Sequence, residues 1–599
     1  MFVWEQGSLN DEQIEAIKYD KSVLLVACPG SGKTRTLTYK IAYELSRLTS
    51  SKEYVIAITF TNSAADEIKE RVELLGVDTT QLWIGTIHAF CMEWILKPYH
   101  LYHNKLKNGF TIINSFESEE LLTELCEPYK DRKITFYDCG IIAKPDNIYL
   151  TSLDPAKQPM LQKILGQYFE ILENKHQVDF EQILYYSWQL LQEKTQISQI
   201  LCKLFPFILI DEYQDTKEIQ YHIIAKILRA NEGKSMTFIV GDPNQSIYET
   251  LGGFPMEQNK LEDLLGFELL PLNLSKNYRS SEGIIEYFEH YKTFPNEIIA
   301  TGVVKDYQSI ITYKTDIHLD NLIEELARLI LYNISQKGIS PNEICIVAPQ
   351  WIHIASITRK LMIKLPDLSF DGPGMAPFSR DIENFWYKVS RIVLTEPSPF
   401  IYVRRLRWSH EILNDFEAAG VSMSMSNKEF LKICNSIQIH DDNGLQYLRN
   451  FFLAICERIK INIENYPLLQ QHYTSFFESS EKRIKKLKDE GNETIDELEN
   501  FKKVFRQRDG ITVSTIHGTK GAEYDTVIGF ALLNDFLPHF NDSNGYQNSK
   551  KLLYVLASRA RKNLHLLSET HRSINKKHAP AGKGPTPILL NYKFNYTIF

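Results

Sequence analysis

Residues 27–34 read Ala27-Cys28-Pro29-Gly30-Ser31-Gly32-Lys33-Thr34, and this stretch decides the fold. An apolar run, Val23 to Val26, precedes it, and a helix-like run, Thr36 to Leu48, follows it. A strand, a glycine-containing loop and a helix in this order are the setting of a phosphate-binding loop. Glycine lets backbone N–H groups turn towards an anion, and the positive end of the helix dipole faces the same anion. We therefore predict that Lys33 reaches the β- and γ-phosphates of a nucleotide and that the Thr34 hydroxyl binds Mg²⁺, although Ala27 stands where the general pattern has its first glycine.

The bulk composition limits the class of protein. At 599 residues the chain is long enough for several domains, and 43% hydrophobic with 24% charged residues is typical of a soluble globular protein. The net charge of −8 gives no global basic field. This counts weakly against a nucleic-acid partner, because a local basic groove can lie on an acidic protein.

The cysteines and the apolar runs favour a cytoplasmic protein. None of the 8 cysteines forms a CxxC pair, which argues against zinc or an iron–sulfur cluster, and scattered cysteines fit a reducing compartment. Residues 1–15 carry charges and no long apolar core, so we expect no signal peptide. No run of 18 apolar residues occurs, so we expect no membrane span.

Short apolar runs beside turn residues indicate an α/β fold. Continuous apolar strands suit parallel sheets that helices cover on both faces. The predicted strands are Val23–Ala27, Val55–Thr59, Phe207–Ile210, Phe238–Val240, Ile344–Val347, Ile511–Ser514 and Val527–Phe530.

Two longer segments, 91–190 and 376–505, have helical periodicity and are predicted to be helical insertions. The last segment, 571–599, has basic residues and prolines but no acid, and we expect a surface-packed or loose tail. The lysines between Glu481 and Lys488 could contact nucleic acid, but a solvated helix face is the favoured interpretation.

A second candidate element for nucleotide chemistry follows the strand Phe207–Ile210, which ends in Asp211 and Glu212. Ligands of open α/β sheets bind at the carboxyl ends of strands. Asp211 there is suited to hold Mg²⁺ through water, and Glu212 is suited to orient and deprotonate an attacking water. Acids at a strand end are often only solvated, so the prediction depends on pairing them with Lys33.

Three further polar side chains extend the set. Gln245 follows another predicted strand and is suited to sense the γ-phosphate or its water. Arg279 and Arg559 lie in the stretches 274–280 and 554–561 and carry guanidinium groups that neutralise charge on a transferring phosphoryl group.

Further motifs occur in a fixed order along the chain. They are Leu9-Asn10-Asp11-Glu12-Gln13, Ile58-Thr59-Phe60-Thr61-Asn62-Ser63-Ala64-Ala65, Gly85-Thr86-Ile87-His88-Ala89-Phe90 and Ser514-Thr515-Ile516-His517-Gly518-Thr519-Lys520-Gly521-Ala522-Glu523-Tyr524. With them the chain resembles superfamily 1 helicases of the UvrD/Rep/PcrA type. Alanine is usual in that family at the position of Ala27.

The resemblance implies an α/β protein with two RecA-like parallel-sheet P-loop domains, each with a helical insertion, and ATP in the cleft between them. It places the first domain at 1–90 and 191–280, its insertion at 91–190, the second domain at 281–375 and 506–570, its insertion at 376–505, and the tail at 571–599. It implies that Gln13 reads adenine, that Tyr278 stacks on the base beside Arg35, and that Glu523 contacts the ribose. The remaining nucleotide contacts would come from Ala27, Cys28, Pro29, Gly30, Ser31, Gly32, Lys33 and Thr34, with Asp211 as the second Mg²⁺ ligand. The catalytic residues would be Lys33, Glu212, Gln245, Arg279 and Arg559.

The same resemblance implies an ATP-dependent 3′→5′ single-stranded DNA translocase or helicase that acts on single-stranded or tailed duplex DNA. Hydroxyls and amides would contact phosphates, and aromatic faces would stack on bases. For Phe60 and Phe90 a core-packing role remains open, as does the choice between DNA and RNA. The expected strand contacts are Phe60, Asn62, Thr86, His88, Tyr248, Thr515 and His517.

The chain departs from the family pattern after Tyr248. Thr250 stands where a base-stacking aromatic is expected, and Leu251 stands where a strand-contacting arginine is expected. The second insertion, about 130 residues long, is short for a stand-alone family helicase, and no nuclease module is visible. An alternative is therefore a nucleic-acid-gated, non-processive ATPase that regulates a partner nuclease in antiphage defence, by analogy with helicase subunits of systems such as Gabija. A nucleotide-binding scaffold without turnover is disfavoured by the intact catalytic set.

Overall fold

The computed structural model describes residues 2, 4–113, 115–152, 154–230, 234–249, 252–372, 376–378, 381, 384–489, 493–505, 510–539, 542, 544–572 and 583–598. Two six-stranded sheets, parallel throughout, dominate it, as the α/β prediction requires. The order of the first sheet is Leu270–Leu274, Val23–Ala27, Met236–Gly241, Phe207–Ile210, Val55–Thr59 and Leu82–Thr86. The order of the second sheet is Ile311–Lys314, Ala560–Leu567, Tyr524–Gly529, Ile344–Ala348, Ile511–Thr515 and Phe370–Asp371.

Each sheet is buried on both faces, which explains why its strands are continuously apolar. In the first sheet Leu24 packs into one apolar cluster, while its neighbours Val23 and Leu25 pack into another. In the second sheet Val347 and Ile346 divide in the same way between two clusters. Successive side chains of a strand point to opposite faces, so both clusters need apolar residues at every position.

Helices cover the sheets and connect their strands. Those nearest the first sheet in sequence are Asp11–Lys18, Lys33–Leu45, Asn62–Leu74, Ile87–Phe90, Glu218–Arg229 and Gln258–Leu265. Those nearest the second are Glu282–Glu289, Leu322–Ser335, Ile354–Lys364, Gly545–Ser558 and Pro587–Asn591.

The first predicted insertion contains the helices Ser115–Cys126, Gln158–Asn174 and Phe180–Glu193, and Thr195–Leu204 follows. Its small strands pair as Thr111–Ile112 with Gln177–Val178 and as Ile141–Ala143 with Ile148–Leu150. The helices Phe180–Glu193 and Thr195–Leu204 share the large core of the first sheet, whereas Gln158–Asn174 contributes to two smaller clusters.

The second predicted insertion has its own apolar core, in which Trp386 is fully buried. The Trp386 indole donates a hydrogen bond to the Leu469 carbonyl at 2.9 Å. The helices around this core are Phe385–Val393, Tyr402–Ala418, Asn427–Ser436, Gly444–Ile459, Pro467–Asp489 and Leu498–Lys503. The domain boundaries themselves remain predictions.

The described part of the C-terminal tail packs against the second sheet. Tyr592 stacks on His290 with ring centroids 3.7 Å apart, and the Thr597 amide donates to the Ile311 carbonyl on the edge strand at 2.7 Å. The tail thus covers an edge that would otherwise expose backbone groups. Within the described ranges, no helix is long and apolar enough to cross a membrane.

All predicted strands are present, with bounds that differ by at most three residues. The helix after the phosphate-binding loop begins at Lys33, earlier than the apolar pattern indicated. Strands at sheet edges escaped prediction where exposed positions break the apolar run, as Pro271 and Asn273 do in Leu270–Leu274. The inner strand Ala560–Leu567 also escaped prediction, because Arg561, Lys562 and Asn563 interrupt its apolar pattern.

His565 provides a test of the second sheet. It is fully buried, with Nδ1 2.9 Å from Thr312 Oγ1 and Nε2 3.0 Å from Asn333 Nδ2, and burial lowers its pKa to about 3. The unfolded chain binds the proton near pH 6.5, so the stability contributed by neutral His565 is complete above that pH and is lost as the pH falls towards 3.

We expect His565→Gln to have a lower free energy of unfolding than wild type at pH 7.5. The difference between the two proteins should shrink by roughly 1.3 kcal/mol at pH 5.5, because only the wild type is destabilised as the pH falls. Denaturant unfolding of both proteins at the two pH values measures the gap. A gap independent of pH would show that His565 is not held neutral.

Candidate functional site

The phosphate-binding loop depends on two glycines in left-handed backbone conformation. Gly30 has φ 69° and Gly32 has φ 78°. A Cβ at position 30 would lie 2.5 Å from Arg279 Cβ, and one at position 32 would lie 2.8 Å from Gln13 Nε2. Glycine is therefore required both for conformation and for the close approach of neighbouring segments.

The helix Asp11–Lys18 holds the loop from behind. Asn10 caps this helix, and the buried Gln13 amide accepts from the Asn10 N–H at 3.0 Å and donates to the Ser31 carbonyl at 3.0 Å. Gln13 thus binds the loop itself in this structure, and its predicted contact with adenine stays a prediction. The Tyr278 hydroxyl accepts from Asn10 Nδ2 at 2.8 Å. Tyr278 as a whole is 41% exposed, which leaves its ring open to a ligand.

Lys33 lies against the two carboxylates that end the strand Phe207–Ile210. Its Nζ contacts Glu212 Oε1 and is 3.5 Å from Asp211 Oδ1. Burial opposes the charged form of Lys33, yet Asp211 and Glu212 outweigh it and raise the Lys33 pKa above its ordinary value. Burial raises the Asp211 pKa, whereas Lys33 and Lys520 lower that of Glu212 despite its burial.

The backbone at Glu212 is unusual and bears on its role. Its φ of 53° lies in the left-handed region, which a residue with a Cβ seldom adopts. Such conformations cluster at functional sites. Glu212 also accepts from Gln214 Nε2 at 2.5 Å, so the carboxylate is held in place from two sides.

Gln245 joins the two sheets. It donates to Asp242 Oδ2 at 2.8 Å, and its oxygen accepts from Arg559 Nη2 at 2.9 Å. Burial raises the Asp242 pKa to about 6 and, with Arg279 nearby, lowers the Arg559 pKa to about 9. A buried guanidinium that faces the carboxylates of Glu212 and Asp242 is placed to meet an anionic ligand.

Lys520 lies within the motif from Ser514 to Tyr524, and the sequence did not predict it as a site residue. It lies between the second-sheet strands Ile511–Thr515 and Tyr524–Gly529, and from there it contacts Asp215, donates to the Gln245 carbonyl at 2.9 Å and lies 3.9 Å from Glu212 Oε2. A lysine flanked by Thr519 and Gly521 carries no local signal of this role, because its partners are about 300 residues away in sequence.

Glu523 is held by two arginines. Arg279 Nε donates to it at 2.6 Å and Arg561 Nη1 at 3.3 Å. Arg279 also donates to the Ser558 carbonyl at 3.1 Å. Because Arg279 follows the first-sheet strand Leu270–Leu274 and Glu523 directly precedes the second-sheet strand Tyr524–Gly529, the Arg279–Glu523 pair connects segments of the two sheets. A ribose contact by Glu523 stays a prediction.

These side chains surround a cleft of about 790 Å³. Gln13 and Ser31 do not line it, since they lie behind the loop. The predicted residues on its walls are Ala27, Cys28, Pro29, Gly30, Gly32, Lys33, Thr34, Arg35, Phe60, Asp211, Glu212, Gln245, Tyr248, Tyr278, Arg279, His517, Glu523 and Arg559.

A second cavity of about 760 Å³ adjoins the first. Tyr248 contacts aromatic side chains from both sheets' segments: its ring centroid is 4.9 Å from that of Phe60 and 5.5 Å from that of His517. Phe60 is 43% exposed and faces the cavity, whereas Phe90 is fully buried and belongs to the core. The predicted strand contacts on its walls are Phe60, Asn62, Thr86, His88 and Tyr248.

The other predicted strand residues lie elsewhere. Thr515 ends a strand of the second sheet, lines neither cavity and accepts from the Gly518 amide at 3.0 Å. Thr250 and Leu251, where the chain departs from the family pattern, are outside the described residues.

The fold and the cleft define the class of two-sheet P-loop proteins, with the phosphate-binding loop and residues from both sheets around one cleft. Residues 9–263 match the UvrD/REP helicase N-terminal domain, and residues 469–571 match the UvrD-like helicase C-terminal domain. The chain belongs to the UvrD/Rep family of superfamily 1 helicases, as its motifs predicted.

Two relatives illustrate the similarity. DNA helicase II of Escherichia coli K12 is 36% identical over an alignment of 293 positions, gaps included, that covers 46% of this chain and 39% of the relative. The ATP-dependent DNA helicase PcrA of Staphylococcus aureus Mu50 is 24% identical over an alignment of 646 positions, gaps included, that covers 94% of this chain and 84% of the relative. The chain therefore aligns with less than half of DNA helicase II but with most of PcrA.

Gly30→Ala tests the loop geometry. We expect it to weaken binding of a fluorescent ATP analogue at least about tenfold, because the new Cβ meets Arg279 and the φ is strained. Gly166→Ala is the matched control, since nothing lies within 4 Å of a Cβ there. Equal affinity of both variants in an anisotropy titration would contradict the requirement for glycine at position 30.

Proposed function

We propose that the chain is an ATP-dependent single-stranded DNA translocase and 3′→5′ DNA helicase. The observation that carries the proposal is the contact between the two cavities. Phe60, Asp211, Asp215 and Tyr248 line both the nucleotide cleft and the cavity of the predicted strand contacts. A change of charge in the cleft would therefore act directly on the walls of the strand cavity.

In this proposal ATP lies on the phosphate-binding loop. Lys33 would exchange its carboxylate partners for phosphate oxygens, which frees Glu212 to take the proton of the attacking water. Gln245 would orient that water, while Arg279 and Arg559 would stabilise negative charge as it moves onto the leaving group.

The residues present also fit Mg²⁺. Thr34 and Asp211 line the same cleft and offer only oxygen ligands, which this cation prefers. Asp211 is buried, with its pKa raised, so a divalent cation would compensate its charge. When bound, the ion would neutralise charge on the phosphates.

Closure of the second sheet onto the first would complete the site. Arg559 and Lys520 reach the cleft from the second sheet, and the aromatic contact from Phe60 through Tyr248 to His517 spans the same boundary. Opening after hydrolysis would shift these rings relative to one another and move a bound strand. The polarity of movement rests on family resemblance.

The names of the relatives favour a helicase over the nucleic-acid-gated regulatory ATPase. A nuclease partner and a role in antiphage defence stay predictions. The scaffold without turnover is disfavoured because Lys33, Glu212, Gln245 and Arg559 meet in one cleft.

The proposal is tested by ATP hydrolysis with and without single-stranded DNA, and by separation of 3′-tailed and 5′-tailed duplexes. We expect DNA-stimulated hydrolysis and unwinding of the 3′-tailed duplex. Glu212→Gln is the matched inactive variant, with ATP binding retained and turnover lower by about 10²- to 10⁴-fold because the base is lost.

Hydrolysis without unwinding of either duplex would favour the gated ATPase, and absence of hydrolysis would leave only the scaffold. Near-normal turnover by Glu212→Gln would remove Glu212 from the role of base.

Lys520→Met tests the coupling between the sheets. The variant leaves the buried Asp215 without its ammonium partner, so we expect kcat for ATP to fall at least about tenfold with a smaller change in KM. Lys551→Met is the control, because Lys551 pairs with Glu249 but does not line the cleft. Similar kcat values for the two variants would contradict a specific role for Lys520.

A further inference from the structure

Trp351 is a large aromatic residue that the fold leaves in solvent. It begins a short 3₁₀ turn, Trp351–His353, shortly after the strand Ile344–Ala348 ends. Trp351 is 54% exposed and Ile352 is 76% exposed. By contrast, Trp386 is fully buried in the second insertion.

The position of Trp351 relates it to predicted strand contacts. The strand Ile344–Ala348 is parallel to its neighbour Ile511–Thr515, with Ala348 opposite Thr515. The Ile516 amide donates to the Ala348 carbonyl at 3.1 Å, which extends the pairing past the strand end. Trp351 and His517 therefore follow the C-terminal ends of two neighbouring strands. Adjacent strands of a sheet lie about 4.8 Å apart.

The turn that carries Trp351 is anchored from behind. Ile354 is fully buried, and the His353 ring lies 4.7 Å from the Phe536 ring. His353 Nδ1 is 3.2 Å from Arg572 Nη1. Trp351 is thus presented to solvent by a supported turn, as a binding side chain must be.

The surrounding sequence suits a polyanion. Residues 344–366 contain no Asp or Glu, although Glu343 and Asp367 flank them. Arg359 and Lys360 lie among them, and so does Lys364, which is paired with Glu324 at 2.6 Å. The helix Ile354–Lys364 begins directly after the turn, so its positive end adjoins Trp351. An aromatic face beside positive potential is the combination that binds single-stranded nucleic acid.

We propose that Trp351 stacks on a base of the bound single strand, beyond the C-terminal end of the strand Ile344–Ala348 in the second sheet. This inference rests on the proposed function and adds a contact to it. Thr250 cannot stack, so the aromatic face that the family pattern places in the first domain is lacking at that position. Trp351 supplies a stacking face from the second domain.

The test is the affinity of the full chain for fluorescein-labelled oligo(dT), measured by anisotropy without nucleotide. We expect Trp351→Ala to bind about 5- to 100-fold more weakly and Trp351→Phe to retain most of the affinity, because either ring offers a π-face. Tyr546→Ala is the control, since Tyr546 is a similarly exposed aromatic residue, at 59%, on the helix Gly545–Ser558 of the same domain and, like Trp351, lines neither cavity.

An oligonucleotide of abasic sites separates stacking from a structural effect. Without bases to stack on, wild type and Trp351→Ala should bind it equally. The inference would be overturned if Trp351→Ala bound oligo(dT) within twofold of wild type, or if it lost as much affinity for the abasic strand as for oligo(dT). In either case, DNA-stimulated ATP hydrolysis by the wild type would still support the proposed function. Failure of the wild type to bind oligo(dT) and to show that stimulation would overturn both.

Discussion

Charge compensation in the nucleotide cleft is the constraint on which the rest of the structure depends. Asp211, Asp215 and Asp242 are buried there beside Glu212. Isolated buried carboxylates are costly, so each needs a cation or hydrogen-bond donors. Lys33, next to the first sheet, pairs with Glu212, and Lys520, next to the second sheet, pairs with Asp215. The acids that would perform the chemistry thus also hold the two sheets in contact.

This arrangement relates nucleotide binding to the strand cavity in physical terms. A nucleotide phosphate would compete with Asp211 and Glu212 for Lys33. The negative charges of the buried carboxylates would then be balanced by different cations and donors. Lys520 lies over the Tyr248 ring at 5.3 Å, and that ring lies between Phe60 and His517. Redistribution of charge and movement of the aromatic contacts therefore involve the same few side chains.

Sequence predicted the elements well where a local rule applied. Val23–Ala27 and Phe207–Ile210 were found because strands buried on both faces must be apolar throughout. Gly30, Gly32 and Lys33 were found because a phosphate cradle requires those residue types at that spacing. Edge strands were missed because one exposed side removes the pattern. The role of Lys520 was missed because its partners belong to the other sheet.

The sequence by itself determined the α/β class, the phosphate-binding loop and the family, because each depends on residue types at short spacing. Only the tertiary structure placed Arg559 against Gln245, Lys520 against Asp215 and Phe60 beside Tyr248. It also separated the exposed Phe60 from the buried Phe90, which the sequence could not distinguish. The physical reason is that burial and charge pairing are set by residues distant in the chain, whose approach depends on how the two sheets pack.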